Sequence, residues 1–358
     1  MADPDVDALF AGTADVPVIA APMAGGPSGP DLVAAVADAG ALGFLAAGYR
    51  SVDVLATEID RTRALSGAPF GVNVFVPAPS VVDRAALDAY IAELAPEAER
   101  LGVHLGEPLE DDDGYAAKIE ALEADPVAVV SFTFGAPDAA VVRRLHAVGT
   151  RIVVTVTTAE EATAATAAGA DALCVQGSEA GGHHGRFVND DTALAPARLR
   201  DALAAVRGAS GLPLVAAGGV ATGDHVVAAR RAGAVAVQIG TALLAASEAG
   251  THPTHRAALV DPRFDATMLT RAFTGRPARG IRNRFMVDHP TAPAAYPQIH
   301  HVTRPLRAAA AAQGSADALH LWAGIEYRRA RAEPAGVIVR RLVDEWRTAS
   351  EADTGPAA

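Results

Sequence analysis

The chain has 358 residues, of which 50% are hydrophobic and only 5% aromatic, enough for one large domain or two smaller ones under an Ala/Val/Leu-packed helical shell. Its formal net charge of -12 excludes broad contact with nucleic acid or anionic membranes, which need a basic surface. A single cysteine, Cys174, excludes an internal disulfide and fits a reducing compartment, and the single lysine, Lys118, excludes Schiff-base or P-loop lysine chemistry later in the chain.

In chain order, Pro17 to Ala21 reads as a short strand that stops at Pro22-Met23-Ala24-Gly25-Gly26. A helix follows over Leu32 to Ala39, with Ser28 or Asp31 near its cap. Leu42 to Ala47 is the second strand, Val52 to Leu65 a helix, and Phe70 to Val76 a third strand carrying the polar Asn73 in an apolar context. The acid-laden, helix-rich segment Ser80 to Ala124 is longer than one crossover requires, and its Glu110-Asp111-Asp112-Asp113-Gly114 run reads as an exposed turn. From Val127 the rhythm is regular. Strands over Val127–Phe132, Arg151–Val156, Ala172–Gln176, Pro213–Ala216 and Val235–Ile239 alternate with helices over Ala136–Val148, Ala159–Ala168, Pro196–Val206 and Asp224–Ala232. Eight strand candidates before Thr241 predict an α/β chain with parallel strands and right-handed crossovers, a (β/α)8 TIM barrel. A doubly wound sheet is the alternative, but no Gly-x-Gly-x-x-Gly follows the first strand.

After Ala246 the rhythm breaks. Residues 250–320 hold scattered prolines and Arg-rich turns with little strand signal, and read as a C-terminal cap over the catalytic end. The expected organisation is a barrel over 1–249, a cap or substrate region over 250–320, and a closing helix (Ala335 to Thr348) with a frayed tail from Ser350 within 321–358. The N-terminus is acidic where a secretory signal is basic, and no apolar run is long enough to span a bilayer, so a soluble, cytoplasmic protein is expected.

Strand ends carry the chemistry. Ala172 to Gln176 runs into Gly177-Ser-Glu179-Ala-Gly181-Gly182-His183-His184-Gly185, where glycines let a flat ligand approach the backbone beside an imidazole that ordinarily titrates near neutrality. A solvated loop that merely holds histidines is the bland alternative. Ala217-Gly218-Gly219 and Gln238-Ile-Gly240-Thr241 end the last two strands, where barrels bind phosphate with backbone N–H groups; tight turns alone are the other reading. The Pro22-Met23 loop, Asn73 and Gln176 would line the same mouth, and amide side chains suit the polar edge of a flavin ring. Zinc needs three or four ligands, and the adjacent histidines, with Glu179 as a third, do not make a strong set; no metal is expected. Cys174 lies inside a strand and reads as a core residue.

These residues resemble the class I nitronate monooxygenases, formerly 2-nitropropane dioxygenases. The resemblance runs from about Val16 to Gly324. It rests on Ala21-Pro-Met-Ala-Gly-Gly26, Gly48-Tyr49, Phe70-Gly-Val-Asn-Val-Phe-Val-Pro77 and Gln176-Gly-Ser-Glu-Ala-Gly-Gly-His183. Ala217-Gly-Gly219, Val237-Gln-Ile-Gly-Thr241, Gly275-Arg-Pro-Ala-Arg-Gly280 and Leu321-Trp-Ala-Gly324 extend it. The resemblance implies an FMN enzyme that oxidises alkyl nitronates such as propionate 3-nitronate with O2, through a flavin semiquinone and without NAD(P)H. It implies His183 as the catalytic imidazole. The cofactor-binding set it implies is Ala21, Pro22, Met23, Asn73, Gln176, Ala180, Gly181, Gly182, Ala217, Gly218, Gly219, Gln238, Gly240 and Thr241.

Three departures fall on the substrate side. Thr133 stands where many members have histidine in the Ser-Phe-x-Phe-Gly motif, Ile325 replaces the glutamine after Trp-Ala-Gly, and no cap lysine follows Lys118. Thr133 and Tyr296 are the expected substrate contacts, and His300, Arg304 or Tyr296 could supply the missing polarity. An NADH-dependent flavin reductase of the same superfamily, of the enoyl-ACP reductase II or NADH:quinone reductase type, is the alternative. A monomer or homodimer acting on small molecules is expected, with no nucleic-acid or membrane partner.

Overall fold

The computed structural model describes residues 14, 16–77, 82–190 and 195–353. Eight short strands run parallel: β1 (Val18–Ala20), β2 (Phe44–Ala46), β3 (Gly71–Phe75), β4 (Val129–Thr133), β5 (Arg151–Val156), β6 (Ala172–Gln176), and, after a two-residue strand β7 (Gly182–His183), β8 (Leu214–Ala217) and β9 (Ala236–Ile239). Their order is β1-β9-β8-β6-β5-β4-β3-β2, and a parallel bridge from Ile19 to Leu42 joins the two ends into a barrel. With helices in the crossovers, this is the (β/α)8 barrel that the alternation predicts.

The apolar runs follow from burial on both faces. In β6, Ala172 and Cys174 point into the barrel with Ile19, Phe44, Val129 and Val215, while Leu173 and Val175 pack outward against the helical shell. Burial pushes the Cys174 thiol up to about 12, so it stays protonated as a core residue. Local capping sets the helix ends: Ser51 and Thr158 accept from the Val54 and Glu161 N–H groups. The helix expected at Leu32 begins earlier, at Pro30, behind Gly29. Ser28 closes the preceding loop instead, accepting from Met23 N–H and donating to the Ala21 carbonyl.

Residues 250–320 hold strand structure that the sequence does not signal. β10 (Thr267–Thr270) pairs antiparallel with β11 (Ala278–Ile281), and β11 pairs antiparallel with β7. A second core unites this region with helices Arg84–Glu93 and Ala95–Leu101, from the segment between β3 and β4. There Leu87, Tyr90 and Leu94 meet Phe273, Phe285, Ile299 and Leu306. The Glu110–Gly114 run is the exposed turn expected from its charge, with Asp113 as the exception. Asp113 is largely buried against Lys118 (2.7 Å), and Asp111 lies 3.3 Å from His301 Nε2. The closing helix runs from Ala335 to Asp353, past the point where fraying is expected, and 354–358 lie outside the described residues. Among the described residues, no helix is long and apolar enough to cross a membrane.

Candidate active site

The C-terminal ends of the barrel strands open into a cleft, where such barrels carry their chemistry. One wall is backbone. β8 and β9 end in Gly218-Gly219 and Gly240-Thr241, and the N–H groups of Gly219, Gly240 and Thr241 have no acceptor among the described residues. Gly218 and Gly219 adopt φ of 117° and 69°, a region that disfavours any Cβ. A Cβ on Gly218 would stand 2.8 Å from Ala180 N. Free, half-buried donors with no side chains in front of them make a cradle for an anion such as phosphate.

The facing wall is built around His183. The loop after β6 turns so that β7 pairs with β11, with His183 opposite Ala278 and Gly182 opposite Arg279. Gln176 fixes the loop from the barrel side. Its Nε2 donates to the His183 carbonyl (3.0 Å), and its Oε1 accepts from Gly185 N–H (2.7 Å). Gly181 lies flat under the Leu321–Gly324 segment, where a Cβ would be 2.4 Å from Gly324 N, and the Thr241 hydroxyl accepts from that N–H at 2.9 Å. His183 therefore has its backbone held from the barrel and from the antiparallel sheet.

Its ring is held as well. His183 Nε2 lies 2.9 Å from Thr274 Oγ1, and that hydroxyl donates to the Arg276 carbonyl at 3.3 Å. This pattern assigns the imidazole proton to Nε2 and leaves the lone pair on Nδ1. Burial, then the charges of Arg276 and Arg307, push the pKa of His183 down to about 3. The expectation of an imidazole titrating near neutrality is corrected: the ring is neutral across the physiological range.

The two arginines set the field. The Arg276 guanidinium sits 3.9 Å from the centre of Phe134 and 5.8 Å from that of Tyr296. Arg307, on the helix Gln298–Ala312, donates from Nη2 to the His300 carbonyl (2.8 Å) and from Nε to Thr303 Oγ1 (3.2 Å). Among the described residues neither has a carboxylate partner within ion-pair distance. Burial lowers both to about 10, so both remain charged at neutral pH. An unpaired buried cation costs several kcal/mol, roughly, unless an anion arrives.

The structure brings nearly all the expected site residues together. Ala21, Pro22 and Met23 line the cleft from β1, and Asn73 and Thr133 from β3 and β4. Ala180, Gly181, Gly182 and His183 line it from the loop after β6, with Ala217 and Gln238 beside the glycine cradle. Asn73 Nδ2 contacts Ser131 Oγ (2.9 Å) and Thr133 Oγ1 (3.0 Å), which turns its carbonyl oxygen away from them. Gln176 lines the cleft, but its amide is already engaged at both ends. Tyr296 stands behind the lining, its hydroxyl 3.4 Å from that of Tyr49 and its ring 6.1 Å from His183. Arg304 is exposed; Arg307, three residues on, occupies the inward face of the same helix. Tyr49, Phe134, Arg307 and Trp322 line the cleft, with Arg276 behind Phe134, and residue type alone did not single these out. The signals were there: Arg276 and Trp322 lie inside quoted motifs, and the helical repeat puts Arg307 on the face of His300 and Thr303.

The sequence profile of the nitronate monooxygenase family matches residues 8–345. The chain belongs to the nitronate monooxygenase family. A probable nitronate monooxygenase of Staphylococcus aureus (strain Newman) is 35% identical over 337 residues, covering 92% of this chain and 94% of that protein. Among solved structures, a nitroalkane oxidase from Streptomyces ansochromogenes is 50% identical with a TM-score of 0.93, covering 96% and 99% of the two chains. FabK from Thermotoga maritima shares the fold, with a TM-score of 0.77 at 24% identity over 99% of each chain. As a member of the nitronate monooxygenase family, this protein is an oxidoreductase.

Proposed function

We propose that this protein is an FMN-dependent nitronate monooxygenase that oxidises small alkyl nitronates, propionate 3-nitronate among them, with O2. The observation that carries the reading is an imidazole near two buried guanidinium groups that have no carboxylate partner among the described residues, together with glycine-loop N–H donors that have no acceptor among them. FMN fits the donor set. The N–H groups of Gly219, Gly240 and Thr241 suit its phosphate, the Asn73 carbonyl oxygen suits an N–H on the ring edge, and Met23 offers an apolar contact. Bound FMN would supply one-electron transfer and reaction with oxygen.

The chain's own residues do the rest. A nitronate is already an anion, so it needs charge stabilisation more than deprotonation. Arg276 and Arg307 favour its entry through their field, and the buried site screens that field far less than water does. When a neutral nitroalkane is offered instead, His183 Nδ1 presents its lone pair as a base weakened by the burial and the arginine charges that hold its pKa at about 3, so the preformed nitronate is the better substrate. Thr274 and Gln176 keep that nitrogen aimed, by fixing the ring and the loop backbone.

The test is anaerobic mixing of the purified yellow protein with propionate 3-nitronate and, separately, with NADH. Flavin bleaching by the nitronate alone, with oxygen uptake on admitting air, is expected. Bleaching by NADH alone would move the protein to the flavin reductases, and bleaching by neither would overturn the substrate assignment.

A further inference from the structure

The chain's one lysine is buried, 1% exposed, outside the cleft. Lys118 Nζ lies 2.7 Å from Asp113 Oδ2 and donates to the Ala47 carbonyl at 2.9 Å. Asp113 Oδ1 accepts from Tyr49 N–H at 2.8 Å. The pair thus grips both sides of the turn after β2: the carbonyl of Ala47 and the amide of Tyr49. Tyr49 has φ of 66°, a left-handed conformation that costs a side-chain-bearing residue about 1 kcal/mol or more. A charge-assisted bond from the Tyr49 amide to a buried carboxylate offsets a cost of that size.

The strained residue reaches the site. The Tyr49 ring lines the cleft and stacks on His300, with centroids 4.1 Å apart and planes within 8°. Arg307 Nη2 lies 3.3 Å from His300 Nδ1 and donates to the His300 carbonyl. Asp111, two residues before Asp113, lies 3.3 Å from His301 on the far side of the same helix turn. The acidic segment therefore holds Tyr49 directly and meets His301, the chain neighbour of His300.

We propose that the Asp113 side-chain oxygen, held in place beside Lys118, is a positioning device for the active site: it fixes Tyr49 in its left-handed turn and, through the stack on His300, sets where Arg307 meets the anionic substrate. Asp113 and Lys118 touch no reacting atom; they act through Tyr49. A buried ion pair adds little net stability compared with apolar packing, and here its two hydrogen bonds to the turn supply a geometric role. This inference rests on the proposed nitronate reaction for its kinetic readout.

The test compares two substitutions that both remove the ion pair. Asp113→Asn keeps a carbonyl oxygen for Tyr49 N–H, and Asp113→Ala does not. Asp113→Ala is expected to raise KM for propionate 3-nitronate about tenfold, the equivalent of one hydrogen bond's worth of positioning, with Asp113→Asn within about twofold of wild type. Equal KM values in the two variants would overturn the proposal, because the effect would then follow the ion pair's stability or nothing at all. If Asp113→Ala alone does not fold, the same comparison is made in Lys118→Met, which leaves no unpaired buried ammonium. Hydrogen exchange of the Ala47–Arg50 amides supplies an arm that needs no substrate. Faster exchange in Asp113→Ala than in Asp113→Asn is expected, and equal exchange would overturn the device whether or not nitronates are turned over.

Discussion

The two walls of the cleft are made of different material. At β8 and β9 the contacts are backbone donors, and the sequence contributes by withholding side chains at Gly218, Gly219 and Gly240. Opposite them, His183, Arg307 and Tyr49 are side chains brought from three separate segments, with Arg276 behind them over Phe134, each dependent on neighbours for its aim. A backbone cradle is fixed once the barrel forms, so it suits a constant group such as a cofactor phosphate. A side-chain wall changes with single substitutions; of the departures, Thr133 lines the cleft, whereas Ile325 lies outside it, its Cδ1 3.9 Å from where a Gly219 Cβ would stand.

That division breaks most readily at Gly218. A Cβ there meets the Ala180 backbone at 2.8 Å on a residue with φ of 117°, so the cradle must shift. Gly218→Ala is expected to weaken FMN binding about a hundredfold, roughly 3 kcal/mol, and to purify colourless; a yellow, fully loaded variant would show that the backbone wall is not what holds the cofactor. Arg307→Met comes next. Losing a charge-assisted contact worth about 2 kcal/mol should lower kcat/KM for a nitronate about thirtyfold while flavin content stays at the wild-type level. A parallel loss of flavin would erase the distinction between the walls.

The smallest effect is one of pH. His183 has its folded pKa depressed to about 3, so its neutral form persists well below neutrality, and kcat/KM should show no acid limb from this group above about pH 5. Arg276→Met removes the second of the three causes of that depression, leaving burial and Arg307. The basic nitrogen's pKa then rises, and the acid limb should move upward from its wild-type position. Matching pH profiles in the two proteins would remove Arg276 from the account of His183.

Much of the barrel was legible because buried parallel strands are short apolar runs. The bounds Arg151–Val156, Ala172–Gln176, Val52–Leu65 and Ala159–Ala168 coincide with the observed elements. The cradle was legible too, since glycine pairs at strand ends have a direct backbone meaning. What escaped was whatever depends on distant pairing. Gly182–His183 is too short to show alternation, and its partner Ala278–Arg279 lies far along the chain. Gln176, expected as a ligand contact, lines the cleft, and only the folded loop shows that its amide also ties down the His183 carbonyl and the Gly185 N–H. Asp113 looked solvated because it sits in a run of acids, and its burial depends on Lys118 one helical turn later.

The pairing of β7 with β11 has a consequence for rebuilding this enzyme. The imidazole's backbone is a strand of the small antiparallel sheet, although its chain position is inside the barrel repeat. A chimera that exchanged residues 250–320 for those of a relative would replace β11 and Thr274 while leaving the old histidine loop behind. The cut points for a working graft therefore lie on both sides of 177–185 as well as around the later segment, and the two pieces must travel together.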